Sequence, residues 1–205
     1  MKMMEIQAVI RRNRKNYVPH QVEHVAENLL NRKFHADKPM EKLLTDLTEF
    51  KLTNGSKRYL SAIYNLGVKK IIAYKTSNHN DNPLVLDTMK QILDDVKPET
   101  TLIHSDRGSQ YTSHAFNKIV EDTELIYSMS RVSKCIDNGL MEGFWGILKV
   151  EMFQLDTFDT AVYLDQKTKE YIEFFNNERV TLNIGLAMKK KFYNGFPSDF
   201  WISNK

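Results

Sequence analysis

Between residues 43 and 76 three strand-length runs follow one another with only tight turns between them. LLTDLTEFKL (43–52) and RYLSAIYNL (58–66) flank TNGSK, whose Asn54-Gly55 pair is a strong short-range hairpin signal. Leu66-Gly67 then turns the chain into VKKIIAYKT (68–76). Strands joined this closely must lie antiparallel, because a parallel pair needs a crossover of a dozen or more residues. Past residue 76 the pattern changes to helix alternating with strand, which demands such crossovers. The two halves fit one architecture: an α/β fold whose mixed sheet begins antiparallel and ends parallel.

The second half reads as follows. Asn82 and Pro83 suit an N-cap and first helical position, and Val85, Met89, Ile92 and Val96 recur at helical spacing after them. TLIHSD (101–106) is short and apolar enough for a central fourth strand, SHAFNKIVED (113–122) for a helix, and LIYSMS (125–130) for a fifth strand. RVSKCIDNG (131–139) has no periodicity and reads as a loop. In LMEGFWGILKVEMF (140–153), Leu140, Phe144, Ile147 and Leu148 share one helical face, leaving Glu142, Trp145 and Lys149 on another. A last helix over 159–177 buries Leu164, Tyr171 and Phe175. Ahead of the sheet, QVEHVAENLLNRK (21–33) spaces Val22, Val25, Leu29 and Leu30 as a short helix. The expected organisation is a basic helical arm (1–37), a main domain (38–180) and a C-terminal tail (181–205).

Charge and composition narrow the function classes. The net charge is only +3, but residues 1–36 hold seven Lys and Arg against three Glu, and RRNRK (Arg11, Arg12, Arg14, Lys15) is the densest cluster. Such a cluster can neutralise several phosphates, or simply be a solvated terminus. The lone Cys135 fits a reducing compartment and leaves no Cys-based zinc module for the pair His20 and His24, which reads as surface. No apolar run reaches membrane-spanning length and no signal peptide opens the chain, so a cytoplasmic protein is expected.

Three acids stand at informative places: Asp46 within the first strand, Asp106 at the end of the fourth, and Glu142 in the first turn of a helix that follows a basic loop. Adjacent central strands would bring Asp46 beside Asp106. Converging carboxylates repel one another and lose solvation, and a hard divalent cation, Mg²⁺ or Mn²⁺, is the natural compensation. Among 26 acids the spacing alone means little, so the flanking residues carry the argument. Gly108 would let the chain turn after Asp106, and Asp137-Asn138-Gly139 would cap and start the helix bearing Glu142.

TDLTEF, HSDRGSQYTS and DNGLMEGFWGILKVE, with 35 residues between Asp106 and Glu142, resemble the catalytic core of integrase-like DDE transposases of bacterial insertion sequences, shared with retroviral integrases. Lys149, seven residues after Glu142, matches that family's Glu-x6-Lys/Arg signature. The resemblance, over about residues 6–179, implies a ribonuclease-H-like fold with a five-stranded sheet flanked by helices. It also implies a metal site of Asp46, Asp106 and Glu142 that serves two Mg²⁺ or Mn²⁺ ions, with Asp46 bridging them. The implied activity is nicking and strand transfer at insertion-sequence ends without ATP, in a homo-oligomer that pairs DNA ends near the nucleoid. It further implies that the chain starts inside a longer product, past a helical DNA-binding part.

Around the acids, Lys149 is expected at a phosphate, and Arg131 and Lys134 at the DNA end. His104 shares the strand face of Asp106 and would orient a ligand, touch DNA, or serve as a structural edge histidine. Asn138 is expected to cap its helix, and Trp145 to stack on an unpaired base or to pack. Two other readings remain open at this level. One is a truncated, inactive DNA-binding remnant, and the other a ribonuclease-H-like nuclease.

Overall fold

The computed structural model describes residues 24–132 and 135–179. Strands β1 (Lys42–Lys51), β2 (Lys57–Asn65) and β3 (Lys70–Ser77) form the antiparallel meander that the turn spacing predicts, with Asp46 facing Ala62 across the hairpin. Gly55 takes φ 84° in its turn, a conformation that disfavours any side chain. Helix α1 (Asn82–Lys90) leads to β4 (Leu102–Ser105), and α2 (His114–Asp122) to β5 (Ile126–Met129). Both later strands are parallel to β1, so the sheet runs β3-β2-β1-β4-β5. A 3-10 turn (Cys135–Asn138) then opens into α3 (Gly139–Leu155), and α4 (Ala161–Asn177) follows.

Strand alternation divides the core into two layers. One face carries Leu43, Ile63 and Ile103 against Val85 and Met89 of α1 and Phe116 and Val120 of α2. The opposite face carries Leu44, Phe50, Leu60 and Ala62 against Met141, Phe144, Trp145 and Leu148 of α3 and Leu164 and Ile172 of α4. Asp46 has the same parity as Leu44, so it points towards α3. The mixed α/β sheet flanked by helices is therefore as expected, with four local departures.

Residues 24–33 form no helix. The arm instead runs beside β5, where both Leu29 N and Leu30 N donate to Ser128 Oγ (2.9 and 3.1 Å) and Met129 N donates to Glu27 O (3.2 Å). Leu30 is buried while Val25 and Leu29 are exposed, so the apolar spacing reflects one anchoring residue rather than a helical face. The cap of α1 is Asp81, whose extended backbone lets its carboxylate accept from Leu84 N (3.3 Å). That helix stops at Lys90, and Ile92 is buried from the turn beyond it. Helix α3 is rotated from the expected face: Met141, Phe144, Trp145, Leu148 and Met152 are buried, and Leu140 is exposed. Of the two roles open to Trp145, the structure shows packing, with a polar partner for the indole N–H across the interface.

Candidate active site

That partner is Asp46. Its Oδ2 accepts from Trp145 Nε1 (3.1 Å) and its Oδ1 from Leu47 N (2.7 Å). The parallel ladder between β1 and β4 ends at Leu44 opposite His104, while β1 continues to Lys51. Extending that register by two residues sets Asp46 abreast of Asp106, just where the two strands part. Open strand ends at the carboxyl edge of a sheet are where α/β folds place their ligands. Burial, and then the charge of Asp106, push the Asp46 carboxyl up to about 7, against the two hydrogen bonds that favour its ionised form.

Asp106 is also raised, chiefly by burial, and its Oδ1 accepts from Gly108 N (2.8 Å). A Cβ at position 108 would stand 3.0 Å from that same oxygen. Glycine matters there for the room it leaves the carboxylate rather than for its backbone, since Gly108 takes no positive φ. Ser105 buttresses the strand exit by donating to the Asp106 carbonyl (2.8 Å) and meeting Tyr127 Oη (3.0 Å).

Glu142 is exposed in the first turn of α3, and its charge adds a smaller upward push on Asp46. Glu142 is thus on the Asp46 side of the sheet and within electrostatic reach of it. Among the described residues, however, no three His, Cys, Asp or Glu side chains group closely enough to hold a metal ion together. Two of the three predicted ligands are already juxtaposed, and the third stands off at a helix start.

The remaining predicted residues divide sharply. His104 is fully buried, with Nδ1 2.8 Å from Ser128 Oγ and Nε2 3.1 Å from Ser130 Oγ, so it ties β4 to β5 and reaches neither DNA nor a ligand acid. Burial pulls its imidazole down to about 4, which keeps it neutral. Asn138 occupies the N-cap position of α3 without a capping side-chain bond; its Nδ2 lies 3.4 Å from Thr45 O, next to Asp46. Arg131 is committed to Asp137, with Nε donating to Oδ2 (2.8 Å). Lys149 Nζ lies 5.8 Å from the centre of the Phe50 ring. Arg11, Arg12, Arg14, Lys15, Lys134 and the residues after Arg179 lie outside the described residues. Sequence reasoning left Trp145 undecided and credited Asp137 only with a cap; the one available signal was an acid five residues before Glu142 in a loop that also holds two basic residues.

Comparison with known proteins fits this geometry. Residues 36–135 and 142–198 each match an integrase core domain family. An "Uncharacterized transposase-like protein" of Haemophilus influenzae is 38% identical over 160 residues, covering 78% of this chain and 74% of that one. The chain belongs to the integrase-core transposase family of insertion sequences. Another relative is the "Putative transposase InsK for insertion sequence element IS150" of Escherichia coli, 35% identical over 185 residues, 90% of this chain and 65% of that protein. The chain thus spans about two thirds of the length of these transposases. Among solved structures, the HTLV-2 integrase catalytic core domain in complex with magnesium superposes with a TM-score of 0.55 at 19% identity, over 70% of this chain and 90% of that one. This likeness establishes the ribonuclease-H-like fold for the transposase core described above.

Proposed function

We propose that this chain is the catalytic core of a DDE transposase, which nicks DNA at insertion-sequence ends and joins the freed ends to target DNA. The observation that carries the reading is the coupling of Asp46 to Asp106 across the β1–β4 opening, with Glu142 adding its charge from α3. A partly buried pair of carboxylates at a strand edge, all hard oxygen donors, fits Mg²⁺ or Mn²⁺. Asp46 and Asp106 would hold the metal as placed, and Glu142 would complete the set by moving in from the exposed start of α3. Bound divalent ions supply Lewis-acid activation of an attacking oxygen and neutralise charge on the departing one.

The residues then sort by task. Trp145 and Leu47 N each hold one oxygen of Asp46, fixing the carboxylate plane. Gly108 N does the same for Asp106. In nicking, a water oxygen bonds to the scissile phosphorus as the phosphorus–3′-oxygen bond breaks, releasing a 3′-hydroxyl and a 5′-phosphate. In joining, that 3′-hydroxyl attacks a target phosphorus and displaces the target's own 3′-oxygen. Each joining step exchanges one phosphodiester for another, so no ATP is needed. The basic cluster Arg11–Lys15, with Lys134 and Lys149, would meet DNA phosphates. The magnesium-bound relative is described in dimeric and trimeric forms, which supports a homo-oligomer that holds two DNA ends here. Among the described residues no helix is long and apolar enough to cross a membrane, and action at the nucleoid is part of the proposal.

The test is a labelled duplex carrying the parent element's terminal repeat, incubated with Mg²⁺ or Mn²⁺ and either the natural chain or Asp106→Asn. Metal-dependent nicking lost in the variant, with DNA binding retained, supports the reading. Binding without cleavage by either protein makes the chain a DNA-binding remnant, and cleavage of the RNA strand in a hybrid makes it a nuclease of another kind.

A further inference from the structure

Asp137 lies five residues before Glu142, in the 3-10 turn that feeds α3, and its side chain has 0% exposure. A carboxylate with no access to water persists only if its oxygens are satisfied by donors. Here both are. Oδ1 accepts from Arg32 Nε (2.8 Å) and an Arg131 terminal nitrogen (2.9 Å), and Oδ2 from Asn28 Nδ2 (2.8 Å), Arg131 Nε (2.8 Å) and Arg131 N (3.1 Å). Three separate stretches of chain converge on this group: the arm through Asn28 and Arg32, the exit of β5 through Arg131, and the start of α3 through Asp137 itself.

The arm is built to reach it. Arg32 sits at φ 61°, a left-handed conformation that is unfavourable for a side-chain-bearing residue, and Asn28 Oδ1 accepts from Asn31 N (2.8 Å) to hold the turn that presents Arg32. Upstream, the bonds of Leu29 N and Leu30 N to Ser128 Oγ fix the turn to β5. The start of α3 has little else of polar character to locate it. Asn138 makes no capping bond, and its amide contact to Thr45 O is long at 3.4 Å. The strongest polar tie at the entrance to α3, among the described residues, is therefore the one that Asp137 makes to the arm and the exit of β5.

We propose that Asp137 is a positioning residue: with Asn28 and Arg32 of the arm it fixes where α3 begins, and so where Glu142 stands relative to Asp46. The proposal rests on the strand-transferase reading only in the importance it gives Glu142. It makes residues 28–32 a working part of the site, although none of them touches the substrate. A lost arm contact lets the first turn of α3 drift while the sheet-borne pair stays in place.

The experiment uses the full chain, an Asn28→Ala/Arg32→Ala double variant that keeps Arg131 on Asp137, an Asp137→Asn variant, and Asp165→Asn as a control that removes a distant ion pair, that with Arg58. Hydrogen–deuterium exchange is followed at 139–146 and at α2, well below the melting temperature, and kcat and KM for nicking are measured separately. In the double variant, exchange at 139–146 should rise with α2 unchanged, and kcat should fall about 10- to 100-fold at constant KM, the scale of a small misplacement of a reacting group. The Asp165→Asn control should leave both readouts unchanged. Exchange that is unaltered at 139–146, or that rises equally in α2, overturns the positioning role. Should the natural chain not nick DNA at all, the strand-transferase reading fails, and exchange at 139–146 still decides whether the clamp positions α3. A double variant that folds while Asp137→Asn does not keeps the decision with the double variant.

Discussion

The two sheet-borne acids and the helix-borne one are held in opposite ways. Asp46 projects from β1 and Asp106 stands one residue past the end of the neighbouring β4, both partly buried, each with a backbone N–H on one oxygen. Glu142 is exposed at the start of a helix whose position depends on side-chain ties rather than a ladder. The sheet pair carries a standing electrostatic cost in the metal-free chain, while Glu142 stands exposed to solvent. Under the proposed reading, such a site would have a preset half that attracts cations and a movable half that completes the coordination.

Substituting each half should separate these roles. Asp46→Asn or Asp106→Asn is expected to reduce metal-dependent nicking by about a thousandfold or more, since a metal ligand underlies several kcal/mol of transition-state stabilisation. Glu142→Gln should cost about a hundredfold or more in the same assay. The contrast sharpens in thermal unfolding without metal. Asp46→Asn should be the more stable protein at pH 8 by ~2 kcal/mol, or roughly 4–8 °C for a chain of this size, whereas Glu142→Gln should melt with the natural chain. Equal melting of the two variants would remove the distinction between preset and movable halves.

The pH dependence has a definite sign. The carboxyl of Asp46 rises from its ordinary 3.8 to about 7, so the folded chain binds the extra proton between those values. Its contribution to stability is present below about pH 4 and is lost as pH rises through 7. His104 works the other way: pulled down to about 4 from 6.5, it favours the folded state above pH 6.5 and loses that contribution as pH falls towards 4. The two slopes oppose each other across most of this range, so the natural chain should show a flattened profile. Asp46→Asn should remove that opposing slope and leave only the raised Asp106 against the histidine, so stability should rise more steeply from pH 4 to 6.5 than in the natural chain in urea titrations; profiles that run parallel would contradict the assignment.

Smaller effects test the supports. Trp145→Phe keeps the packing but removes the bond to Asp46 Oδ2, and should slow nicking about tenfold, the scale of one hydrogen bond to a charged group. Lys149→Ala should weaken DNA binding uniformly and lower the slope of log K against log salt by about one, the signature of a single phosphate contact. An unchanged slope would leave Lys149 as a lid over Phe50.

The order of strands was legible because turn length and strand length leave few topologies, and the sheet pair followed from it: once β1 and β4 are neighbours, parity alone puts Asp46 and Asp106 on one face. The resemblance supplied the third acid, but not its stand-off from the other two, which depends on how the turn at Cys135–Asn138 packs. Periodicity misjudged the arm and the face of α3 for one physical reason. Apolar spacing reports where burial is favourable locally, and cannot see that Ser128 will take two arm amides or that Asp46 will satisfy a buried indole. His104 stayed open between a functional and a structural role because a histidine near a proposed ligand acid looks functional until the hydroxyls on the next strand are known.

The arm lying beside β5 has a consequence for assembly. β5 is only four residues long, and the Met129 N–H that it would offer sideways is already taken by Glu27. Edge-to-edge sheet extension between two copies is therefore blunted on this flank. In the homo-oligomer proposed above, copies would then pair elsewhere than along this edge, and the sheet's other edge is β3, on the far side of the opening between β1 and β4.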